Sequence, residues 1–155
     1  MKPSILEKFS LENKVAIITG TTKGLGQSLA EALIEAGAMV VALDRSDNTH
    51  MVDFSTSLGK TFKRIRVDLL NASKKDLIKI VDSVIKEFSH IDILVNNAGI
   101  SRRGEVEDFS KKDWTDVINV NLNVPFYLSQ AVSKQFIKQG FGKIINIASM
   151  LSYQG

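Results

Sequence analysis

Short runs of apolar, mostly β-branched residues constrain the fold of this chain more than any other feature. Nearly continuous runs occupy residues 15–18, 39–43, 91–95 and 144–147. This pattern is typical of strands that are covered on both faces of a parallel sheet. A further run, residues 62–67, alternates between apolar and polar side chains, which predicts a strand nearer an edge of the sheet.

Segments with a helical spacing of apolar residues separate these runs. Gly37 ends the first of these segments, Ser73 opens the second, and Ser110 opens a third that reaches about Gln139. Residues 44–61 are polar, and their pattern leaves their structure open. The alternation of strands and helices predicts an α/β fold with an open, doubly wound parallel sheet of the Rossmann-like type.

The composition fits one globular domain over residues 1–155 and excludes several kinds of function. Hydrophobic residues make up 44% and charged residues 24% of the chain, which leaves little room for extended disorder. The absence of cysteine excludes a disulfide scaffold, a thiolate zinc site, an iron–sulfur cluster and a cysteine nucleophile. His50 and His90 lack the spacing of metal ligands, so we expect no metal.

The charge and the apolar runs also bear on partners and location. The net charge of +3 is too weak a field to indicate nucleic-acid binding. The longest apolar run, residues 38–43, is far shorter than the roughly 20 residues that span a bilayer. Residues 1–12 mix charged and apolar side chains and have no signal-peptide core. We therefore expect a cytoplasmic protein that binds neither membrane nor nucleic acid.

A glycine-rich segment follows the first predicted strand and runs directly into the first predicted helix. Its glycines let the backbone turn tightly and approach a pyrophosphate, while the helix N-terminus offers free N–H groups and a partial positive charge. The spacing is G-x-x-x-G-x-G, without the Gly-Lys-Ser/Thr of a nucleoside-triphosphate loop. A structural turn is the alternative, but the position favours a cofactor loop. Its predicted cofactor-binding residues are Gly20, Thr22, Lys23, Gly24, Leu25 and Gly26.

The second predicted strand ends on Asp44. A carboxylate at this position can accept both hydroxyls of an adenosine ribose and would repel a 2′-phosphate, which favours NAD over NADP. A solvated loop acid is the alternative for Asp44, and the neighbouring Arg45 and Lys23 could attract a phosphate instead. We predict NAD.

The next two predicted strands also end in small or polar residues. Taken alone, Asp68 could be a helix-side cap, and the segment over residues 96–99, Asn-Asn-Ala-Gly, could be a turn. Four consecutive strand ends of this kind instead suggest one extended ligand along the edge of the sheet. The additional residues predicted to contact it are Asp68, Leu69, Asn97, Ala98 and Gly99.

Together these motifs resemble the short-chain dehydrogenase/reductase family. The resemblance covers nearly the whole chain from Leu11 onward, and residues 96–114 and 129–155 more narrowly resemble the deoxygluconate dehydrogenases of that family. It implies hydride transfer between NAD and a deoxy-sugar acid such as 2-deoxy-D-gluconate or 2-dehydro-3-deoxy-D-gluconate. It also suggests a homo-oligomer, a tetramer when complete. The matching residues are Thr19-Gly20-x-x-x-Gly24-x-Gly26, Asp68, Asn96-Asn97-Ala98-Gly99, Asn121 and Ser149.

The resemblance implies catalytic roles for Ser149, which would orient the substrate oxygen, and Asn121, which would anchor a proton-relay water. The family's Tyr-x-x-x-Lys pair would follow on the next helix, and the sequence stops at Gly155 before it. Tyr153 has no residue four positions later to complete that pair. We therefore expect the chain as given to be inactive and its sheet to be incomplete at the C-terminal edge, with a bare apolar face. The alternative is a catalytically inactive nucleotide-binding or interaction module.

Two further features have open interpretations. Arg102 and Arg103 are either a loop or subunit contact or a site for a sugar-acid carboxylate. Pro125 lies four residues after Asn121 and cannot donate to its carbonyl, which predicts a bend and an ordered water on that carbonyl. A plain proline kink at a solvent-facing turn is the alternative.

Overall fold

Five parallel strands form a single sheet, which a computed structural model describes within residues 4–150, the side chain of Leu6 excepted. The strands are β1 (Val15–Thr19), β2 (Met39–Asp44), β3 (Phe62–Arg66), β4 (Ile93–Asn96) and β5 (Lys143–Asn146). Their order across the sheet is β3-β2-β1-β4-β5. The strand order therefore reverses between β1 and β4, and ligands of doubly wound sheets bind at such a switch point.

Helices connect the strands and cover both faces of the sheet. They are α1 (Ile5–Lys8), α2 (Gly24–Glu35), α3 (Thr49–Ser57), α4 (Lys74–Phe88), α5 (Lys111–Ile118) and α6 (Val124–Gln139), with a short 3₁₀ helix at Val106–Asp108 and a π-helical turn at Asn119–Asn123. The polar segment that the sequence left open contains α3. Within the described residues, no helix is long and apolar enough to cross a membrane.

The core has two parts, one on each face of the sheet. On one face, Ile17 and Leu94 pack with residues of α4 and α6, among them Leu128. On the other face, Ile18 and Val95 pack with residues of α2 and α3. The strands β1, β2 and β4 are buried almost throughout, which confirms the prediction of strands covered on both faces.

The two edge strands differ from each other. The strand β3 lies at one edge, as its alternating sequence predicts. The strand β5 lies at the other edge, and all of its residues are exposed. The prediction that β5 is covered on both faces is wrong for the described part of the chain, because no described element lies beyond it. The expectation of a bare apolar face at this edge is confirmed, with Ile144 37% and Ile145 46% exposed.

Local signals at the helix ends are confirmed. The hydroxyl of Ser73 accepts the N–H of Asp76 while the Asp76 carboxylate accepts the N–H of Ser73, which forms a capping box at the start of α4. The Ser110 hydroxyl accepts the N–H of Asp113 in the same way at α5. Gly140, with φ of 81°, ends α6 in the left-handed conformation.

The helical stretch predicted from Ser110 to about Gln139 is confirmed, but it is not one regular α-helix. The structure has α5 and α6 in its place, separated by the π-helical turn, in which the N–H of Val124 donates to the carbonyl of Asn119. Pro125 follows at once and has no N–H, so the regular α-helical hydrogen-bond ladder cannot run through this point. Two predicted strands also shift by one or two residues, since β4 begins at Ile93 and β5 begins at Lys143.

Candidate cofactor and active site

The loop after β1 is fixed to the end of β4 by hydrogen bonds. The side-chain hydroxyl oxygen of Thr19 accepts the backbone N–H groups of Asn97 at 3.0 Å and Ala98 at 2.9 Å. The side-chain amide of Asn97 donates in return to the carbonyl oxygens of Thr19 at 3.0 Å and Gly20 at 2.9 Å. The Asn97 side chain therefore holds the glycine loop in place.

Close packing explains why the start of α2 carries glycine. A Cβ atom on Gly26 would lie 1.9 Å from the carbonyl oxygen of Gly20 and 2.3 Å from Nδ2 of Asn97. Only glycine allows α2 to approach the loop this closely. Lys23 at the N-cap makes no side-chain hydrogen bond to the helix, so the first N–H groups of α2 are not capped by it. Such a helix start binds anions such as phosphate.

Two adjoining clefts lie along the carboxyl ends of the strands. The smaller, of about 380 Å³, lies at the ends of β1, β2 and β3, and the larger, of about 1000 Å³, lies at the ends of β4 and β5 beside the π-helical turn. Both are lined by Ala98, Gly99, Ile100 and Arg102, so they join into one groove. This groove follows the sheet edge on which the sequence predicted one extended ligand.

The structure brings most of the predicted site residues into this groove. The smaller cleft is lined by Gly20, Thr22, Asp44, Asp68 and Leu69 together with Ala98 and Gly99, and the larger cleft by Asn97, Asn121 and Ser149 as well as Ala98 and Gly99. Lys23, Gly24 and Leu25 are exposed at the start of α2 outside both linings, and Gly26 is buried beneath Gly20. Contact of these residues with a cofactor stays a prediction.

Asp44 is buried, with 3% of its surface exposed, so it is not a solvated loop acid. One carboxylate oxygen accepts the backbone N–H of Thr21 at 2.7 Å, and the other accepts the Thr21 hydroxyl. A carboxylate offers about four acceptor positions, so Asp44 keeps acceptor capacity beside these bonds. Arg45, the next residue, is exposed and also lines the smaller cleft.

Asp68 stabilises the turn that follows β3. Its carboxylate accepts the backbone N–H of Leu70 at 3.2 Å and the side-chain amide of Asn71 at 2.8 Å. The alternative of a helix-side cap is wrong, because Ser73 caps α4. Asp68 therefore stabilises a turn that lines the smaller cleft.

Asn121 lies in the π-helical turn and fixes the loop after β4. Its side-chain Nδ2 donates to the carbonyl oxygen of Ile100 at 2.9 Å, and its Oδ1 accepts the N–H of Ile100 at 2.9 Å. The turn interrupts the regular α-helix before Pro125, and the bend predicted there stays a prediction. The ordered water on the Asn121 carbonyl stays a prediction.

Ser149 and Arg102 line the larger cleft with Asn121. Arg102 is the one charged residue among the described residues of that lining, and its Nε donates to Asp113 at 3.2 Å. Arg103 is exposed and lines neither cleft. Tyr153 lies outside the described residues.

A half-buried polar cluster in the larger cleft was not predicted from the sequence. The side-chain amide of Asn96 donates to Asn146 at 2.8 Å and to the hydroxyl of Ser129 at 3.3 Å. Asn96 is only 5% exposed. The available signal was one asparagine in or directly after each of two apolar runs, Asn146 and Asn96, whose strands are neighbours in the sheet.

Comparison with known proteins agrees with this geometry. The sequence pattern described as short chain dehydrogenase matches residues 14–155. The chain belongs to the short-chain dehydrogenase family. The 2-dehydro-3-deoxy-D-gluconate 5-dehydrogenase of Escherichia coli K12 is 48% identical over 152 residues, which are 97% of this chain and 59% of that relative.

Solved structures of short-chain dehydrogenases share the fold. A protein from Agrobacterium tumefaciens, assigned as a 2-deoxy-D-gluconate 3-dehydrogenase and solved with bound NADP, is 40% identical with a TM-score of 0.82, over 95% of this chain and 57% of that one. A xylitol dehydrogenase solved with NAD⁺ is 31% identical with a TM-score of 0.85, over 94% of this chain and 56% of that one. The chain thus spans less than two thirds of the length of these short-chain dehydrogenases.

Proposed function

We propose that this chain is the cofactor-binding part of an NAD-dependent dehydrogenase that acts on a deoxy-sugar acid. The observation that carries the proposal is the continuous groove with Asp44 at one end and Asn121 and Ser149 at the other. A dinucleotide is extended, and the strand ends supply a ribose acceptor, a glycine loop and polar side chains in sequence along it.

The preference for NAD is supported by Asp44. Its buried carboxylate would accept ribose hydroxyls and repel a 2′-phosphate. The solved relatives named above bind NADP in one case and NAD⁺ in the other. Lys23 and Arg45, which are exposed, are the residues that would favour NADP.

For hydride transfer, the bound nicotinamide ring supplies or accepts the hydride. Ser149 would orient the substrate oxygen, and Asn121 holds the Ile100 loop against the cleft in which the substrate would lie. An acid/base group must also exchange the proton of the carbinol. The Tyr-x-x-x-Lys pair of the family is absent from the 155-residue sequence, so we propose that this chain binds the cofactor without turnover.

The sugar-acid substrate is supported by Arg102. A guanidinium binds carboxylates through its paired N–H groups. Arg102 lines the larger cleft, where its Nε donates to Asp113 and one terminal nitrogen donates to the carbonyl oxygen of Ser101. We propose 2-deoxy-D-gluconate or 2-dehydro-3-deoxy-D-gluconate as substrate of the longer protein, as in the relatives. A homo-oligomer, a tetramer when complete, and a cytoplasmic location stay predictions, as does the alternative of an inactive interaction module.

Calorimetric titration with NADH and NADPH tests the cofactor assignment. We expect the chain to bind NADH more tightly, and Asp44→Ser to weaken NADH binding roughly ten- to hundredfold while NADPH binding improves. Asp53→Ser, which removes an exposed acid from α3, is the matched control and should change neither affinity. Tighter binding of NADPH by the unchanged chain would contradict the NAD assignment, and binding of neither would favour the interaction module.

A turnover assay tests the catalytic part of the proposal. We expect no NADH formation from NAD and 2-deoxy-D-gluconate by the 155-residue chain. A rate of roughly 1 per second, within the usual range of enzymes, would show that another group in the chain performs the acid/base step.

A further inference from the structure

Thr21 is the first residue after Gly20 in the glycine loop, and it is completely buried. Its backbone N–H donates to one oxygen of the Asp44 carboxylate at 2.7 Å, and its hydroxyl donates to the other oxygen. Both carboxylate oxygens are therefore bound by one residue, which fixes the rotation of the Asp44 side chain.

Asn48 holds Thr21 from the opposite side. The Asn48 side-chain amide donates to the carbonyl oxygen of Thr21 at 2.9 Å, and its Oδ1 accepts the N–H of Met51 at 3.2 Å as the N-cap of α3. Thr21, Asp44 and Asn48 thus form a buried cluster that joins the glycine loop, the end of β2 and the start of α3.

The cluster has a consequence for ribose binding. Of the roughly four acceptor positions on a carboxylate, Thr21 occupies two, and two remain for the two hydroxyls of an adenosine ribose in the smaller cleft. These remaining positions are useful only if the carboxylate is held at one angle, because hydrogen bonds weaken steeply with misalignment. The hydroxyl of Thr21 supplies one of the two bonds that set this angle.

We propose that Thr21 is a positioning residue for Asp44, and that its hydroxyl sets the preference of the site for NAD over NADP. The inference rests on the proposed function, since it needs the dinucleotide in this groove. Without the hydroxyl, the negative charge remains and still repels a 2′-phosphate, but the carboxylate is no longer held for the ribose. NAD binding therefore weakens and NADP binding changes little.

Variants of Thr21 separate this role from a purely structural one. Thr21→Val removes the hydroxyl and keeps the shape, Thr21→Ala removes it without a β-branched side chain, and Thr21→Ser retains it. We expect both variants without the hydroxyl to lose about five- to tenfold in NADH affinity, the worth of one hydrogen bond, with NADPH affinity within about twofold. Thr21→Ser should restore the ratio of NADH affinity to NADPH affinity of the unchanged chain. Thr56→Val, at an exposed position of α3, is the control and should change neither affinity.

Calorimetry with NADH and NADPH, together with melting temperatures, reads out the result. Equal losses of affinity for both nucleotides, with no rescue by Thr21→Ser, would show that Thr21 supports only the loop and would overturn the inference. Unchanged NADH affinity in Thr21→Val and Thr21→Ala would overturn it as well. If Thr21→Val is too unstable for titration, the ratio of NADH affinity to NADPH affinity in Thr21→Ala tests the inference instead. Binding of neither nucleotide by the unchanged chain would overturn the proposed function and this inference together.

Discussion

At the scale of single residues, buried carboxylates mark both ends of the sheet. Asp92, 5% exposed, lies at the amino end and accepts hydrogen bonds from Lys14 at 3.0 Å and from the N–H of Val15 at 2.9 Å. Asp44 lies at the carboxyl end, and among the described residues no basic side chain pairs with it. Asp92 is paired with Lys14, whereas Asp44 lines the smaller cleft of the groove.

Gly26 provides a prediction at the same scale. In Gly26→Ala the new Cβ would overlap the carbonyl oxygen of Gly20, so α2 must move away from the loop that Asn97 holds. We expect loss of measurable NADH binding and destabilisation by about 1–3 kcal/mol, as for other overpacked sites. Calorimetry and thermal unfolding measure the two effects.

Gly59→Ala is the comparison for this variant. Gly59 has φ of +62° but nothing within 4 Å of an added Cβ, so only backbone strain opposes the substitution. It should lower stability and leave NADH binding intact. Unchanged nucleotide binding in Gly26→Ala would show that the approach of α2 to the loop is not needed.

At the scale of elements, helix starts and a helix interruption place the site. A capping box begins α4 at Ser73, and the Ser110 hydroxyl caps the start of α5. The π-helical turn then sets Asn121 opposite Ile100. A π-helical turn re-aims the residues that follow it relative to a continuous α-helix. The π-helical turn before Pro125 therefore sets the position of Asn121 in the larger cleft.

The capping box of α4 makes stability depend on pH. Hydrogen bonds from the side chain and then the backbone of Ser73 hold the pKa of Asp76 below its ordinary value. Because the folded pKa is depressed, this stabilisation is present above the unfolded pKa and is lost as the pH falls through the folded pKa, below about pH 4. We expect Ser73→Ala to lower the melting temperature at neutral pH, with a difference from the unchanged chain that shrinks in acid.

Ser83→Ala is the control for this measurement, because Ser83 is an exposed serine of the same helix whose hydroxyl bonds the carbonyl of Ile80. Its effect on the melting temperature should not vary with pH. A Ser73→Ala difference that stays constant from neutral to acid pH would show that Asp76 does not contribute through the cap.

The π-helical turn carries a prediction for crystallography. Pro125 has no N–H to offer the carbonyl of Asn121, so we expect an ordered water on that oxygen in a crystal structure of the chain. A backbone N–H bonded directly to this carbonyl would remove the reason for the water. A water on this carbonyl would lie beside the larger cleft, where it could carry a proton to solvent.

At the scale of the whole molecule, the sheet ends at an exposed apolar edge. Ile144, Ile145 and Ile147 are 37%, 46% and 38% exposed, and β5 pairs only with β4 among the described strands. An unpaired strand edge with apolar side chains promotes association with other chains. The larger cleft of the groove reaches this edge, since Asn146 and Ile147 line it.

We expect Ile145→Lys to keep the 155-residue chain monomeric to higher concentration than the unchanged chain. Light scattering coupled to size-exclusion chromatography measures this, and NADH affinity should stay unchanged because Ile145 does not line either cleft. Val52→Lys, at an exposed apolar position of α3, is the control and should have less effect. Equal behaviour of both variants would show that the β5 edge does not drive association.

The sequence by itself determined the features that rest on local physical chemistry. Residues 15–18 and 39–43 form strands because β-branched runs suit a buried sheet, and Ser73 begins a helix because its hydroxyl can reach the N–H three residues on. The glycine loop before a helix was also predictable from local sequence, because its glycines lie between a strand pattern and a helix pattern. The four strand ends met at one edge because parallel strands align their carboxyl ends.

Only the tertiary structure decided the features that depend on contacts between distant segments. The helix α3 begins where Asn48 caps it, and that side chain is placed by Thr21. The π-helical turn before α6 is joined to the loop after β4 by the two hydrogen bonds between Asn121 and Ile100. The exposure of β5 depends on what lies beside it, which its own apolar sequence cannot specify, since a strand is buried by its neighbours rather than by its composition.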